Sequence, residues 1–205
     1  DRVGEQMIGV RTSITMGELR SIRVFVLGDV NRPGSYAVSS LSTVTNAMFL
    51  AGGVAPGGTL RDLQIKRNGK LVRRIDGYRF LLRGDTSDDI RLQPGDVIFV
   101  PPVGPQVGVA GEVRRPAIYE LNGEKSVGEL IDLAGGVMPT AYRGQARLER
   151  IAEGGDRTVV TIDLTDPAGR STGVRDGDTI HVDPVLDRLA GSVRVTGHVY
   201  RPGAY

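Results

Sequence analysis

Val24, Val26 and Gly28 alternate with Phe25, Leu27 and Asp29, the period of two that sends successive side chains to opposite faces of a β-strand. Arg32-Pro33-Gly34 follows, with Pro and Gly where a tight turn needs them, and residues 36–38 supply a short return strand. The period then changes. Val44, Ala47, Met48, Leu50 and Ala51 recur at helical spacing behind Ser42-Thr43, and Gly52-Gly53 closes the run. Ser or Thr suits an N-cap and Gly suits a left-handed C-terminal cap, so a helix is predicted here. Leu63 and Ile65 alternate into Asn68-Gly69, the strongest short hairpin signal, and Leu71, Val72 and Ile75 return the chain. After a short connection, Pro94-Gly95-Asp96 turns into a final strand over residues 97–100. The predicted order is hairpin, helix, hairpin, connection, strand.

The same order occurs again. Val24–Tyr36 recurs as Val107–Tyr119 and as Val193–Tyr205, offset by 83 and then 86 residues. Leu50-Ala51-Gly52-Gly53-Val54 recurs as Leu133-Ala134-Gly135-Gly136-Val137, and Gly95-Asp96 as Gly177-Asp178. The second helix carries Val127, Leu130, Ile131, Leu133 and Ala134 behind Ser126, with Glu129 at capping-box spacing. Glu153-Gly154-Gly155-Asp156 replaces Asn68-Gly69 as the hairpin turn. Three landmarks in one order define two full repeats and the opening hairpin of a third. A period near 80 residues is a domain rather than a solenoid turn. One helix across a sheet of four or five strands is an α+β layer architecture, of which β-grasp is the common form at this length.

The motif Gly-x-Val-x-Arg-Pro-Gly-x-Tyr at 28–36, the Leu-Ala-Gly-Gly-Val helix end and the strand Pro94-Gly95-Asp96-Val97-Ile98-Phe99-Val100 together resemble the soluble ligand-binding β-grasp (SLBB) domains of Gram-negative outer-membrane polysaccharide export proteins. The resemblance covers residues 22–205. The second copy departs from it at Ala117, where the others have Gly34 and Gly203, and in its last strand, Thr179-Ile180-His181-Val182-Asp183. The resemblance implies tandem ubiquitin-like β-grasp domains, each one helix on a four- to five-stranded mixed sheet. It places the tail of a preceding export domain, or a lead strand, at 1–21 and SLBB domains at 22–103 and 104–190. The first hairpin of a truncated third repeat then covers 191–205, so the chain reads as a piece of a longer protein. The implied role is non-enzymatic: a periplasmic part of an outer-membrane channel for capsular or extracellular polysaccharide, serving oligomerisation and polymer passage. Implied partners are copies of itself, the polysaccharide and an inner-membrane copolymerase, with the outer membrane engaged by parts outside this chain. A small-ligand- or glycan-binding β-grasp module is the alternative.

Composition narrows the chemistry. There is no Cys, which removes disulfides, thiolate zinc sites and thiol nucleophiles, and only His181 and His198 could serve a catalytic triad. His198 stands where the other copies have Asp29 and Glu112, a place on a hairpin surface. His181 shares a strand face with Asp183 but not with Asp178, too few ligands for a metal. Asp85, Asp88 and Asp89 lack the calcium-loop pattern and read as a solvated acidic loop. The glycine pairs follow helices instead of preceding them, the wrong end for phosphate. No cofactor, metal or catalytic residue is expected.

Charge is unevenly spread: residues 24–103 carry 10 basic and 7 acidic side chains, whereas residues 107–187 carry 9 and 14. A groove tracking nucleic acid would want one sign along its length, so nucleic acid is not the expected partner. Opposite signs favour complementary contacts within or between subunits. Candidate glycan or subunit contacts are Lys66, Arg67, Lys70, Arg73 and Arg74 on one hairpin, and Arg32, Arg115 and Arg201 at the three Arg-Pro steps. Proline holds each preceding Arg in extended geometry. These arginines read either as forks for a carboxylate or as local partners of Asp29 and Glu112.

Overall fold

The computed structural model describes residues 20–186 and 191–205. The lead segment expected over 1–21 therefore lies, up to residue 19, outside the described residues. The chain divides between Val103 and Gly104 into two units.

In the first unit, β1 (Ser21–Gly28) pairs antiparallel with β2 (Gly34–Ser39), and helix α1 (Val44–Leu50) crosses to β3 (Leu63–Arg67) and β4 (Lys70–Ile75). A second helix, α2 (Gly77–Arg83), leads to β5 (Val97–Val100), which enters the sheet parallel to β1 and antiparallel to β3. The resulting order, β2-β1-β5-β3-β4, is that of a β-grasp sheet. Alternation puts Val24, Val26, Ile65, Ile98 and Val100 on the helix side, all fully buried, against Val44 and Ala47 of α1. Each such aliphatic side chain contributes about 1.5–3 kcal/mol of burial.

Local signals explain where α1 begins and ends. The Thr43 amide donates to Asn46 Oδ1 at 3.0 Å, and the Thr45 amide donates to Asp89 Oδ1 at 3.0 Å. Gly52 and Gly53 both adopt positive φ, and the Gly53 amide closes onto the Met48 carbonyl. The Asn68-Gly69 turn has φ of 49° and 76°, as a type I′ hairpin requires.

The second unit repeats this plan with β6 (Gln106–Gly111), β7 (Ala117–Glu120), α3 (Val127–Leu133), β8 (Ala141–Ile151), β9 (Arg157–Ile162), α4 (Pro167–Arg170) and β10 (Thr179–Pro184). Its sheet order is β7-β6-β10-β8-β9, with β10 parallel to β6. The Ser126–Glu129 capping box forms, and Glu129, accepting the Lys125 and Ser126 amides, is held below the ordinary carboxylate range. The last hairpin pairs β11 (Arg194–Val195) with β12 (Gly203–Ala204) in the register of the first two. No helix among the described residues is long and apolar enough to cross a membrane.

The structure departs from the sequence reading in the connection after each second hairpin, where a further short helix stands. Asp76 caps α2 by accepting the Tyr78 amide at 3.0 Å, and Gly84 ends it at φ 67°. Phe80, Leu81 and Leu82 form one apolar run without helical spacing, which is why periodicity does not reveal it.

Candidate contact surfaces

The Arg-Pro hairpins share one closure. The Tyr36 hydroxyl donates to the Arg32 carbonyl at 2.6 Å, Tyr119 to Arg115 at 2.5 Å and Tyr205 to Arg201 at 2.7 Å. In the first two copies the turn also docks on the helix end: the Arg32 amide meets the Ala51 carbonyl, and the Arg114 amide meets Gly136. All three Arg side chains are exposed. Local pairing with Asp29 or Glu112 is not the arrangement found at Arg115. Its Nη2 donates to the Leu133 carbonyl at 3.0 Å, at the negative end of α3, while Glu112 accepts the Thr140 hydroxyl.

The basic hairpin β3–β4 does not present five equivalent cations. Arg67 turns inward, its Nε and Nη2 each 2.8 Å from the two oxygens of Asp96, whose side chain is fully buried. This hydrogen bond raises the Arg67 pKa further. Arg74 pairs with Asp62 at 2.6 Å and Arg73 with Asp88 at 3.5 Å, both on the surface. The Lys66 ammonium sits 4.6 Å from the centre of the Phe99 ring, and Lys70 is exposed at the turn. Lys66 and Arg74 thus stand on the outer face of the sheet, Arg73, opposite Ile65, on the helix side and Lys70 at the turn, while Arg67 is held in the ion pair with Asp96.

Asp96 and its counterpart Asp178 were invisible as a pair of anchors in sequence. Asp178 receives Arg150 Nε at 2.9 Å and Nη2 at 2.6 Å, and it also accepts the Arg175 amide at 2.7 Å. The signal that could have found them is the Gly-Asp step preceding each last strand, matched by Arg67 and Arg150 at an offset of 83.

The acidic loop is used internally. Asp85 accepts Arg79 Nη2 at 2.5 Å and the Ser87 amide at 3.0 Å, and Asp88 accepts Arg79 Nη1 at 2.6 Å. The Ser87 hydrogen bonds, with Arg79 behind them, lower the Asp85 pKa from 3.8 to about 2. A depressed carboxylate stabilises the folded loop above the unfolded pKa, and that contribution is lost as pH falls from about 4 through 2. A carboxyl NMR titration should place the Asp85 midpoint near 2; a midpoint near 4 would contradict the loop geometry. His181 Nε2 lies 3.1 Å from Asp183 Oδ1, which also accepts Arg147 Nη2 at 2.7 Å. Among the described residues no three His, Asp or Glu side chains converge as a metal site would require.

Twin β-grasp sheets with the same strand order, each closed by an Arg-Pro hairpin tied to a Tyr hydroxyl, define a tandem β-grasp protein. Family models described as SLBB domain match residues 22–100 and 106–161. Polysialic acid transport protein KpsD of Escherichia coli is 26% identical over 179 residues, which is 87% of this chain and 31% of that protein. The chain thus spans about a third of the length of the curated relatives it matches. The two matches together cover most of the chain, which belongs to the SLBB domain family.

Proposed function

We propose that this chain is a non-enzymatic, periplasmic portion of an outer-membrane polysaccharide export channel, in which the β-grasp units serve self-assembly and polymer passage. The observation that carries the reading is the likeness to the polysialic acid transport protein, which runs through both β-grasp units rather than one. The surface supports it. Lys66, Lys70, Arg73 and Arg74 line an edge hairpin, and Arg32, Arg115 and Arg201 stand exposed on rigid turns. Exposed cations on rigid supports suit repeated weak contacts with a sugar acid or with a neighbouring subunit. The opposite charge of the two units suits contacts between copies. In this reading the partners are further copies, the polymer and an inner-membrane copolymerase, and other portions of the full-length protein engage the outer membrane.

Incubation of the purified chain with the polysaccharide of its own cell tests the non-enzymatic role. The polymer should keep its length and reducing-end count while co-sedimenting with the protein at low salt. New reducing ends would overturn the reading.

A further inference from the structure

The same edge of the sheet is guarded in the first unit and open in the second. β4 and β9 are the outermost strands, beside β3 and β8. Unpaired edge backbone is a template for another strand, and proteins blunt it with cations, prolines and bulges. β4 carries two of these devices. Lys70, Arg73 and Arg74 stand on it, and its register slips at Val72, between the Ile65–Arg73 and Lys66–Leu71 pairs. Their partners Arg67, Ile65 and Gln64 correspond to Arg150, Leu148 and Arg147, 83 residues on. There β9 sets Thr158, Val160 and Thr161 in place of the three cations. It pairs with β8 over Arg157–Ile162 without a register shift, and after Arg157 it holds neither charge nor proline. Val159 and Val160 are 58% and 44% exposed. A regular run of Thr and Val with one open side is suited to accept a further strand.

The sequence of the edge shows which strand fits it. Two copies joined edge to edge and antiparallel are related by a two-fold axis normal to the sheet, so residues opposite each other must share a face. Thr158, Val160 and Ile162 lie on the helix side, opposite Arg150, Leu148 and Ala146, while Arg157, Val159 and Thr161 face outward. Asp163 continues the outward set, exposed between buried Ile162 and Leu164. With the axis at Val160, Val160 meets its own copy, Val159 meets Thr161, Thr158 meets Ile162, and Arg157 meets Asp163 at both ends. Of the registers centred within β9, only this one sets those opposite charges against each other. Arg157 is exposed, and among the described residues Asp163 accepts from Thr165 through Oδ1, leaving Oδ2 to a second partner.

We infer that β9 is a self-association edge, at which two copies of this chain pair antiparallel through residues 158–162 about an axis at Val160. The two five-stranded sheets become one of ten. Opposed β-branched side chains and opposite charges stabilise such a pair of strands, and the charges fix its register. One strand pair buries less than a permanent interface needs, so the dimer forms and dissociates with concentration. The inference goes beyond the export role and does not rest on it: an unpaired β9 would leave that role standing.

The test is sedimentation of the 205-residue chain from low to high micromolar concentration. The 21.9 kDa monomer should pass reversibly into a dimer, and hydrogen exchange should slow at alternate amides of residues 158–162 as it does. Val160→Lys puts two ammonium groups at the axis and should weaken the dimer about tenfold or more, whereas Val72→Lys on β4 should leave it unchanged. Arg157→Asp and Asp163→Arg should each weaken it about fivefold or more alone. Mixed, these two variants should form a heterodimer, since every opposed pair is then opposite in charge. Should Asp163→Arg not fold, Val160→Lys and Arg157→Asp carry the test. The inference is overturned by a chain that stays monomeric throughout, by association that Val160→Lys leaves unchanged or that Val72→Lys weakens equally, or by folded charge variants that do not pair when mixed. Oligomers growing past the dimer would also overturn it, as the sign of a head-to-tail contact of β9 with β7.

Discussion

Asp96→Ala is expected to destabilise the first unit by about 3 kcal/mol, as removal of one partner from a buried ion pair does. The carboxylate is fully buried and accepts three hydrogen bonds, two from Arg67 and one from the Gln93 amide at 2.8 Å. Its loss leaves a guanidinium and an amide without their acceptor. Arg67 keeps 25% of its side chain exposed and can partly rehydrate, which places the effect at the low end of the range of about 3–5 kcal/mol. Arg74→Ala breaks a pair whose arginine is 59% exposed and should cost no more than about 1 kcal/mol. Denaturant-dependent amide exchange at Val26 and Ile98 reads the first unit, and Val109 and Ile180 read the second, where Asp178→Ala should do the same damage. A loss below about 1 kcal/mol for either Asp variant would contradict the anchoring role.

Gly28→Ala should cost a similar amount, about 3 kcal/mol or more, because strain and overlap act together. Gly28 sits at φ 88°, where β1 leaves the sheet opposite Val100. A Cβ there would stand 2.1 Å from the Val100 carbonyl oxygen, which also accepts the Asp29 amide. Neither strand can retreat, since β1 and β5 are the buried middle of the sheet. Gly111 repeats the arrangement against Val182 at the same 2.1 Å. Gly34→Ala is the control: nothing lies within 4 Å of its missing Cβ, and the second repeat already carries Ala117 there. It should change stability by less than about 1 kcal/mol. The same exchange measurement at Val26 and Ile98 separates the two; equal effects would contradict the close approach at Gly28.

These two positions also mark how far the sequence can be read. The strands, the helix caps and the Asn68-Gly69 turn are local matters, and residues within a few positions of one another announce them. The repeat added the long-range part, since two copies of one alternation at one offset demand two copies of one sheet. Arg67 and Asp96 lie 29 residues apart and meet only because β3 and β5 are neighbours in the sheet. Arg67 therefore stood in the sequence as one cation of a surface cluster, whereas its charge is spent inside the fold. The Tyr hydroxyl closing each Arg-Pro turn was equally hidden, because its acceptor is a backbone carbonyl common to every residue. Helix α2 escaped because its contiguous apolar run has no period. The space beside the first helix of each repeat is filled differently, and only coordinates show that Arg170 reaches Gly128 in one while Phe80 of α2 meets Phe49 in the other.

The central claim is that these domains carry polymer outward. Its most direct measurement is surface and periplasmic polysaccharide in cells whose full-length protein lacks residues 22–187, with membrane abundance checked by immunoblot. Loss of surface polymer with accumulation in the periplasm, at normal abundance, is the predicted result. Unchanged surface polymer at normal abundance would contradict it.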